Sequence, residues 1–445
     1  MRKVNVSEVI ANSKLNGRYI AIFLVCLFVI IFNGYNQSIY GISLPSMMAD
    51  GELLNEMNMS AEQATAMFGN IASMTLLGMF IGSLVFGAIA DRIGRVKAMI
   101  LGLILFCVGD AMIGIAHSGT MITICRLVAG FGMAGVVPIC IPTVTEYSPL
   151  KNRTVLSSWC TSGVPLGAIF TPLICLALLP AIGWRNMYLT CLIPLVTIIF
   201  IVWLVPESME RLVAQGKNEK IRSILGKLVP DFETTPEDEY VTASREAGMA
   251  KSSVKDLFTE GRSLTTILFW VAFFCSMMFT YALQTWLPSM LVASGREVSN
   301  ALIFTFVYAA GSVPFILMTG PLTKRFGFKW AVAGLMGLAA ISMALLALNP
   351  PDIIMYILLF LAGGGMYGET AIFYSYVSNS YPNSVRSTAV GFSAASGRIG
   401  GILGPQIGVV LTAAGAGMST MCLVYAAPML IAAVCIALTR EKFVE

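Results

Sequence analysis

Four ionisable residues, Asp110, Arg126, Glu369 and Arg398, fall inside otherwise apolar runs of this 445-residue sequence. A charge at bilayer depth costs several kcal/mol unless it is paired or hydrated, so each needs a chemical reason to be there. Glu369 and Arg398 lie about 10 or 11 residues from the same side of the membrane, roughly 15 to 17 Å, which puts them level at the midplane. A carboxyl and a guanidinium at that depth suit proton and anion chemistry. Glu369 is expected to carry a coupling proton, and Arg398 to hold its carboxylate or receive an anionic substrate that competes with it. A permanent structural ion pair is the alternative. Asp110 and Arg126, brought level by a short hairpin, read as a salt bridge clasping that hairpin, with Arg126 equally placed to line a cavity as an anion site.

Asn33, Asn36, Gln37 and Tyr40 follow i, i+3, i+4, i+7 spacing and so form one polar stripe down an apolar helix. Such a stripe is expected to face a wet cavity and touch substrate, although amides also join membrane helices to one another. Tyr281, Trp286, Tyr367, Phe373 and Tyr374 could sandwich an aromatic ring; singly, each also suits a core or lipid-facing position, and Trp286 an anchor at the outer interface. His117 is the one histidine and lies in a short outer loop, a surface position without a partner cluster. All ten cysteines sit in apolar stretches with no CxxC, so free thiols and no metal site are expected. The Gly363–Gly365 run and the Gly130, Gly132 alternation read as close helix packing. No Walker lysine follows any glycine-rich run, which argues against ATP drive, and no cofactor is implied.

The elements that must position these residues are membrane helices. The chain is 57% hydrophobic and 12% charged, with mean hydropathy +0.79. Soluble domains carry about 25% charged residues. The net charge of +4 is too small and scattered for a nucleic-acid partner. Twelve runs are long enough to cross a bilayer, at 20–45, 66–90, 98–115, 120–144, 156–180, 187–205, 264–291, 299–321, 330–348, 352–377, 388–412 and 417–438. The expected class is therefore an all-α membrane protein, with a tail at 1–19, a six-helix bundle at 20–205, a polar, partly helical inter-bundle loop at 206–263 that includes Lys217, Lys220, Arg222, Glu237, Asp238 and Glu239, a second bundle at 264–438 and a tail at 439–445. The first apolar run is too long for a signal peptide, so a retained tail is expected. All but four of the 28 Lys and Arg fall on one side, the exceptions being Arg126, Arg185, Arg296 and Arg398; by the positive-inside rule, both termini are expected in the cytoplasm of a multi-pass protein of the plasma (inner) membrane.

The halves repeat each other. Asp91-Arg-Ile-Gly94 recurs as Lys324-Arg-Phe-Gly327, Tyr147 with Arg153 as Tyr381 with Arg386, and Gly163-Val-Pro-Leu-Gly167 is echoed by Gly397-Arg-Ile-Gly400. Two bundles related by pseudo-symmetry, with a midplane site between them, are transporter architecture.

Gly87-Ala-Ile-Ala-Asp91-Arg-Ile-Gly94-Arg95-Val-Lys97, between the second and third spans, resembles the signature loop of the major facilitator superfamily. Within it the chain resembles the aromatic acid:proton symporters through Val4-Asn-Val-Ser-Glu8, Asn33-Gly-Tyr-Asn36, Arg126-Leu-Val-Ala-Gly130 leading to Glu146-Tyr147, Trp286-Leu-Pro288, Tyr381-Pro382 and Gly397-Arg398-Ile-Gly400. The resemblance implies the major facilitator fold, and a gate at the inner mouth in which Gly87, Asp91, Arg92, Gly94 and Arg95, facing Glu146 and Arg153, latch the two bundles. Two departures bear on mechanism. That family carries Asp-Gly-Phe-Asp in span 1 where this chain has the amides Asn33 and Asn36, and a neutral residue in span 10 where this chain has Glu369.

The expected function is secondary transport: proton-coupled symport of a small organic anion, an aromatic or related carboxylate, by a monomer working through alternating access. A proton-independent facilitator or exchanger is the alternative that the missing span-1 acids suggest. A membrane sensor is the alternative of another class, disfavoured because no soluble output domain is attached. An enzyme is disfavoured by the absence of any nucleophile with its base.

Overall fold

In hydrocarbon every backbone N–H and C=O must find its partner within its own segment, so long apolar runs fold as helices. The computed structural model describes residues 2–440 apart from 231, 233, 236–237, 243–253, 260 and 383–384; Glu237 and the end of the C-terminal tail lie outside the described residues. Spans 1 to 4 are Gly17–Met48, Ala61–Ile93, Arg95–Ala111 and Gly119–Glu146. Span 5 runs through Leu150–Thr161 and Gly163–Met187, and span 6 begins as the 3-10 segment Tyr188–Val196 and continues as Thr197–Leu204. Span 7 is Ser263–Ala293. Span 8 is Val298–Ala310 and the first part of Ser312–Leu346, whose remainder is span 9. Spans 10 to 12 are Asp352–Asn379, Arg386–Ala413 and Met418–Leu438. Several helices outrun the apolar runs because their caps lie in polar sequence: the Asn16 side chain accepts from the N–H groups of Arg18 and Tyr19, and Ser60 and Gln63 form a capping box.

The internal repeat has a physical basis. Gly94 and Gly327, equivalent in the two halves, both sit at positive φ, 103° and 75°, where the chain turns from span 2 into 3 and from span 8 into 9. The second repeat is a pair of helix crossings. Gly163 and Gly167 of span 5 let the backbone of span 1 approach at Ile30 and Ile31, and Gly397 and Gly400 of span 11 admit Phe273 and Phe274 of span 7. Spans 5 on 1 and 11 on 7 are the same crossing in each half.

The two halves touch through spans 1 and 7, 2 and 11, and 5 and 8. Among the described residues the hydrogen bonds joining them are Gln37 Nε2 to Tyr281 Oη (3.0 Å), Gln284 Nε2 to Ser38 Oγ (3.2 Å), Ser73 Oγ to the Ile402 carbonyl (2.7 Å) and Gln406 Nε2 to Ser73 Oγ (3.0 Å). All lie in the halves of their spans away from the chain termini. The bundles therefore meet on the far side of the membrane from the termini. Trp286 belongs to this seam: its Nε1 donates to the Pro405 carbonyl at 2.9 Å and its ring lies against Gly69 and Gly408. It is 2% exposed, so it is not the outer-interface anchor considered from sequence.

On the terminal side, the N-terminal tail is structured. Lys3–Asn5 pairs in parallel with Glu239–Val241 of the inter-bundle loop, and Asn16 Nδ2 donates to the Leu228 carbonyl at 2.7 Å. The helix Asn218–Leu228 buries Ile221, Leu225 and Leu228, an i, i+4, i+7 face that packs with Val4, Val6 and Ile10 beneath the first bundle.

At Gly167, a side chain would meet the span 1 backbone at Ile31 and Tyr35. Gly167→Val is expected to destabilise the protein by ~2 kcal/mol or more, lowering the melting temperature of the purified protein by several degrees. Gly391→Ala, whose Cβ would meet nothing within 4 Å, should leave it unchanged; equal melting of the two variants would contradict the crossing.

Candidate functional site

The site begins with a charge pair that the span 3–4 hairpin holds level. Arg126 Nη1 donates to Asp110 Oδ1 at 2.9 Å, with side chains 3% and 0% exposed. The guanidinium also lies 4.6 Å from the centroid of the Tyr40 ring, and Tyr40 is held by its hydroxyl, which donates to the Phe68 carbonyl at 2.7 Å. Arg126 Nε and Asp110 Oδ2 take no hydrogen-bond partner, so the pair is less satisfied than a purely structural clasp requires. Arg126 also reaches a cavity of about 20 Å³ at the seam between the halves, lined in addition by Gln37, Tyr40, Thr75, Tyr281 and Gln284. That is room for about one water. Clasp and cavity lining, alternatives in the sequence, coexist in this one side chain.

The span 1 stripe divides. Asn33 Nδ2 donates to the Met133 carbonyl of span 4 at 3.2 Å, which is helix joining rather than cavity lining. Gln37 and Tyr40 face the cavity. Asn36 is fully buried with neither amide atom bonded, a costly state for a polar group.

Across the seam, Glu369 of span 10 is fully buried. Its Oε1 accepts from the hydroxyls of Ser276, in span 7, and of Thr370, the latter at 3.1 Å, and its Oε2 takes no partner. A Glu369–Arg398 ion pair, one of the roles left open from the sequence, is not formed. Arg398 is half-buried and makes no ion pair among the described residues; Tyr374 lies within electrostatic reach of both groups. Partial exposure lets the guanidinium keep its charge hydrated, while Glu369 uses hydroxyls instead. Of the proposed aromatic sandwich, Tyr281 reaches the cavity. Phe373 does not: it stacks on Phe273 at 4.4 Å and is fully buried. Tyr367 packs against Tyr308, centroids 6.5 Å apart.

The terminal-side charge cluster connects elements other than those expected. Arg95 pairs with Glu146, and Glu146 accepts from the Met209 N–H at 2.7 Å. The Arg95 N–H donates to Glu207 at 2.7 Å, beside Gly94. Arg153 donates to the Ser148 carbonyl at 3.3 Å. Asp91 and Arg92 are exposed, and Gly87 faces open space. The cluster thus fastens the two terminal-side loops of the first bundle to the segment after span 6. It does not latch the bundles, whose joining hydrogen bonds among the described residues lie on the opposite side. His117, expected to lack a partner, faces Glu56 at 3.0 Å while remaining 71% exposed, and Glu56 also faces Arg185 at 3.6 Å.

Ser276, Thr75 and Gln284 were not singled out from the sequence. Ser276 and Glu369 stand 93 residues apart, and a single serine in an apolar span carries no pairing signal.

Comparison with known proteins agrees with this architecture. The model of the Major Facilitator Superfamily matches residues 26–310 and 297–444. A benzoate transport protein of Acinetobacter baylyi is 34% identical over 409 residues, covering 91% of this chain and 86% of that protein. A gentisate transporter of Corynebacterium glutamicum is 29% identical, covering 96% and 90%. Among solved structures, a partially occluded inward-open form of the Escherichia coli xylose transporter XylE superposes with TM-score 0.72 at 18% identity over 94% of this chain and 97% of its own, a likeness of fold.

Removing one partner of the buried pair leaves the other charged and unpaired. Asp110→Asn is therefore expected to cost ~3 kcal/mol, read as a lower melting temperature and a smaller yield of folded protein. Asp110→Asn combined with Arg126→Gln should recover much of that loss but not substrate binding. Full binding by the double variant would reduce Arg126 to the clasp alone.

Proposed function

Because this chain belongs to the major facilitator superfamily and is a membrane transporter rather than an enzyme, we propose that it carries a small aromatic carboxylate across the inner membrane by symport with protons. The relatives named for benzoate and gentisate support the substrate class. The twenty-four basic residues on the terminal side support cytoplasmic termini, and the state described here is then inward-facing. Each chain holds both bundles and the seam between them, so a monomer suffices.

The observation that carries the coupling is Glu369: a fully buried carboxyl whose partners are hydroxyls and not a cation. A carboxylate in such surroundings is held at low cost only with its proton on. Arg126, on the other side of the seam, keeps a cation at the cavity for the substrate carboxylate. Tyr281 and Tyr40 offer ring faces there. A cavity with room for about one water excludes an aromatic acid. Entry therefore requires the Gln37–Tyr281 and Gln284–Ser38 bonds to part, and their re-forming closes that side before the cargo leaves on the other, which couples cargo to the rocking of the bundles. Arg398, half-buried near Tyr374 on the same side as Glu369, receives the carboxylate on its way out.

A second reading, facilitated diffusion or exchange without protons, is favoured by the amides Asn33 and Asn36 standing where the resembling family has acids. Proteoliposomes decide between them. With benzoate as probe and acid outside, wild type is expected to accumulate substrate above equilibrium. Glu369→Gln, which keeps the hydroxyl contacts but cannot release a proton, should lose accumulation and retain exchange across the membrane. Accumulation at the wild-type level in Glu369→Gln would overturn the assignment, and gradient-insensitive equilibration by wild type would establish the second reading.

A further inference from the structure

A cavity of about 570 Å³ opens on the terminal side of the first bundle, between the end of span 2, the end of span 6 and the helix Asn218–Leu228. Its cations are Lys97, Arg211, Lys217, Lys220 and Lys227, against one carboxylate, Glu207. That carboxylate is already engaged by the N–H groups of Arg95 at 2.7 Å and Ser208 at 3.1 Å. Arg211 is also committed, donating to the carbonyls of Ala90, Asp91 and Arg92 at 2.7 to 3.2 Å. The four lysines are exposed and make no ion pair among the described residues. They are not arranged by chance: the helix buries Ile221, Leu225 and Leu228, which turns Lys220, Ser223, Ile224 and Lys227, at i, i+3, i+4 and i+7, toward the cavity.

The cavity has a second wall of different chemistry. Ile93 and Val202 line it where the lipid-facing surfaces of spans 2 and 6 end, and Val202 is 60% exposed. The neighbouring Trp203 is 74% exposed, at the depth where indole rings mark the boundary between hydrocarbon and headgroup. A cationic pocket is thus continuous with an apolar flank open to the membrane. A soluble anion would use the lysines and leave that flank unexplained; a molecule with a phosphate at one end and acyl chains at the other uses both. We propose that this cavity binds the headgroup of an anionic glycerophospholipid from the surrounding bilayer, with its chains lying along Ile93 and Val202. A bound lipid would brace the Arg211 and Glu207 contacts that fasten the post-span-6 segment to the first bundle.

The test is native mass spectrometry of the purified protein in detergent, titrated with phosphatidylglycerol, with phosphatidylethanolamine, and with phosphatidylglycerol plus inorganic phosphate at matched ionic strength. One saturable phosphatidylglycerol adduct is expected, weakened about tenfold or more in Lys217→Gln/Lys220→Gln and unchanged in Lys324→Gln/Arg325→Gln. The second variant removes the same number of exposed charges from the terminal side of the other half. Equal weakening in both variants would mean diffuse attraction to a basic surface and overturn the site. So would equal binding of phosphatidylethanolamine, and displacement of the lipid by inorganic phosphate would assign the pocket to a soluble anion instead.

Discussion

Hydrocarbon supplies no partner for a charge, and the rest of this molecule follows from how the chain supplies them itself. Asp110 and Arg126 answer each other across one hairpin at 2.9 Å, which lets a guanidinium remain charged where the bundles meet. Glu369 is answered differently, by hydroxyls from its own span and from span 7. One half therefore holds a permanent cation and the other a carboxyl that is cheap to bury only when neutral. That asymmetry between two halves of otherwise matching architecture makes them suited to different tasks at one seam.

The contact between the halves joins side chains through single hydrogen bonds and also brings backbone close at Gly41 of span 1, which lies against Gln284 of span 7. Within each bundle, glycine crossings bring helix backbones together, span 5 on 1 and span 11 on 7. Between the bundles, by contrast, amide and hydroxyl side chains exchange single hydrogen bonds. Such bonds have a small net value because their ends find equal partners in water or in cargo.

Much of this was legible in the sequence. The spans were readable because a bilayer demands about 20 apolar residues, and the pseudo-symmetry because Gly94 and Gly327 both had to supply positive φ at equivalent turns. The depth of Asp110 and Arg126 followed from hairpin length. What could not be read was the rotation of each helix about its own axis. The stripe at Asn33, Asn36, Gln37 and Tyr40 is continuous in sequence, yet spans 4 and 7 divide it, with Asn33 joined to Met133 and Gln37 to Tyr281. The same limit explains Glu369 and Arg398: equal depth did not bring them into contact. The terminal-side charge cluster, expected to latch the two bundles, joins loops of the first bundle instead, because its partners depend on which side of the membrane the bundles have closed.

The parallel pairing of Lys3–Asn5 with Glu239–Val241 changes how the linker between the bundles should be counted. By sequence the tether spans 206–263, but the described residues up to Val241 are fastened to the first bundle, and Val254–Phe258 is already held by the second, the Leu257 carbonyl accepting from the Thr266 hydroxyl at 2.8 Å. The leash between the bundles is thus shorter than that span, and it is anchored at one end by an edge strand rather than by a membrane helix. A bulky fusion at the amino terminus would compete for that strand and lengthen the leash, whereas the same fusion at the carboxyl terminus would leave it alone.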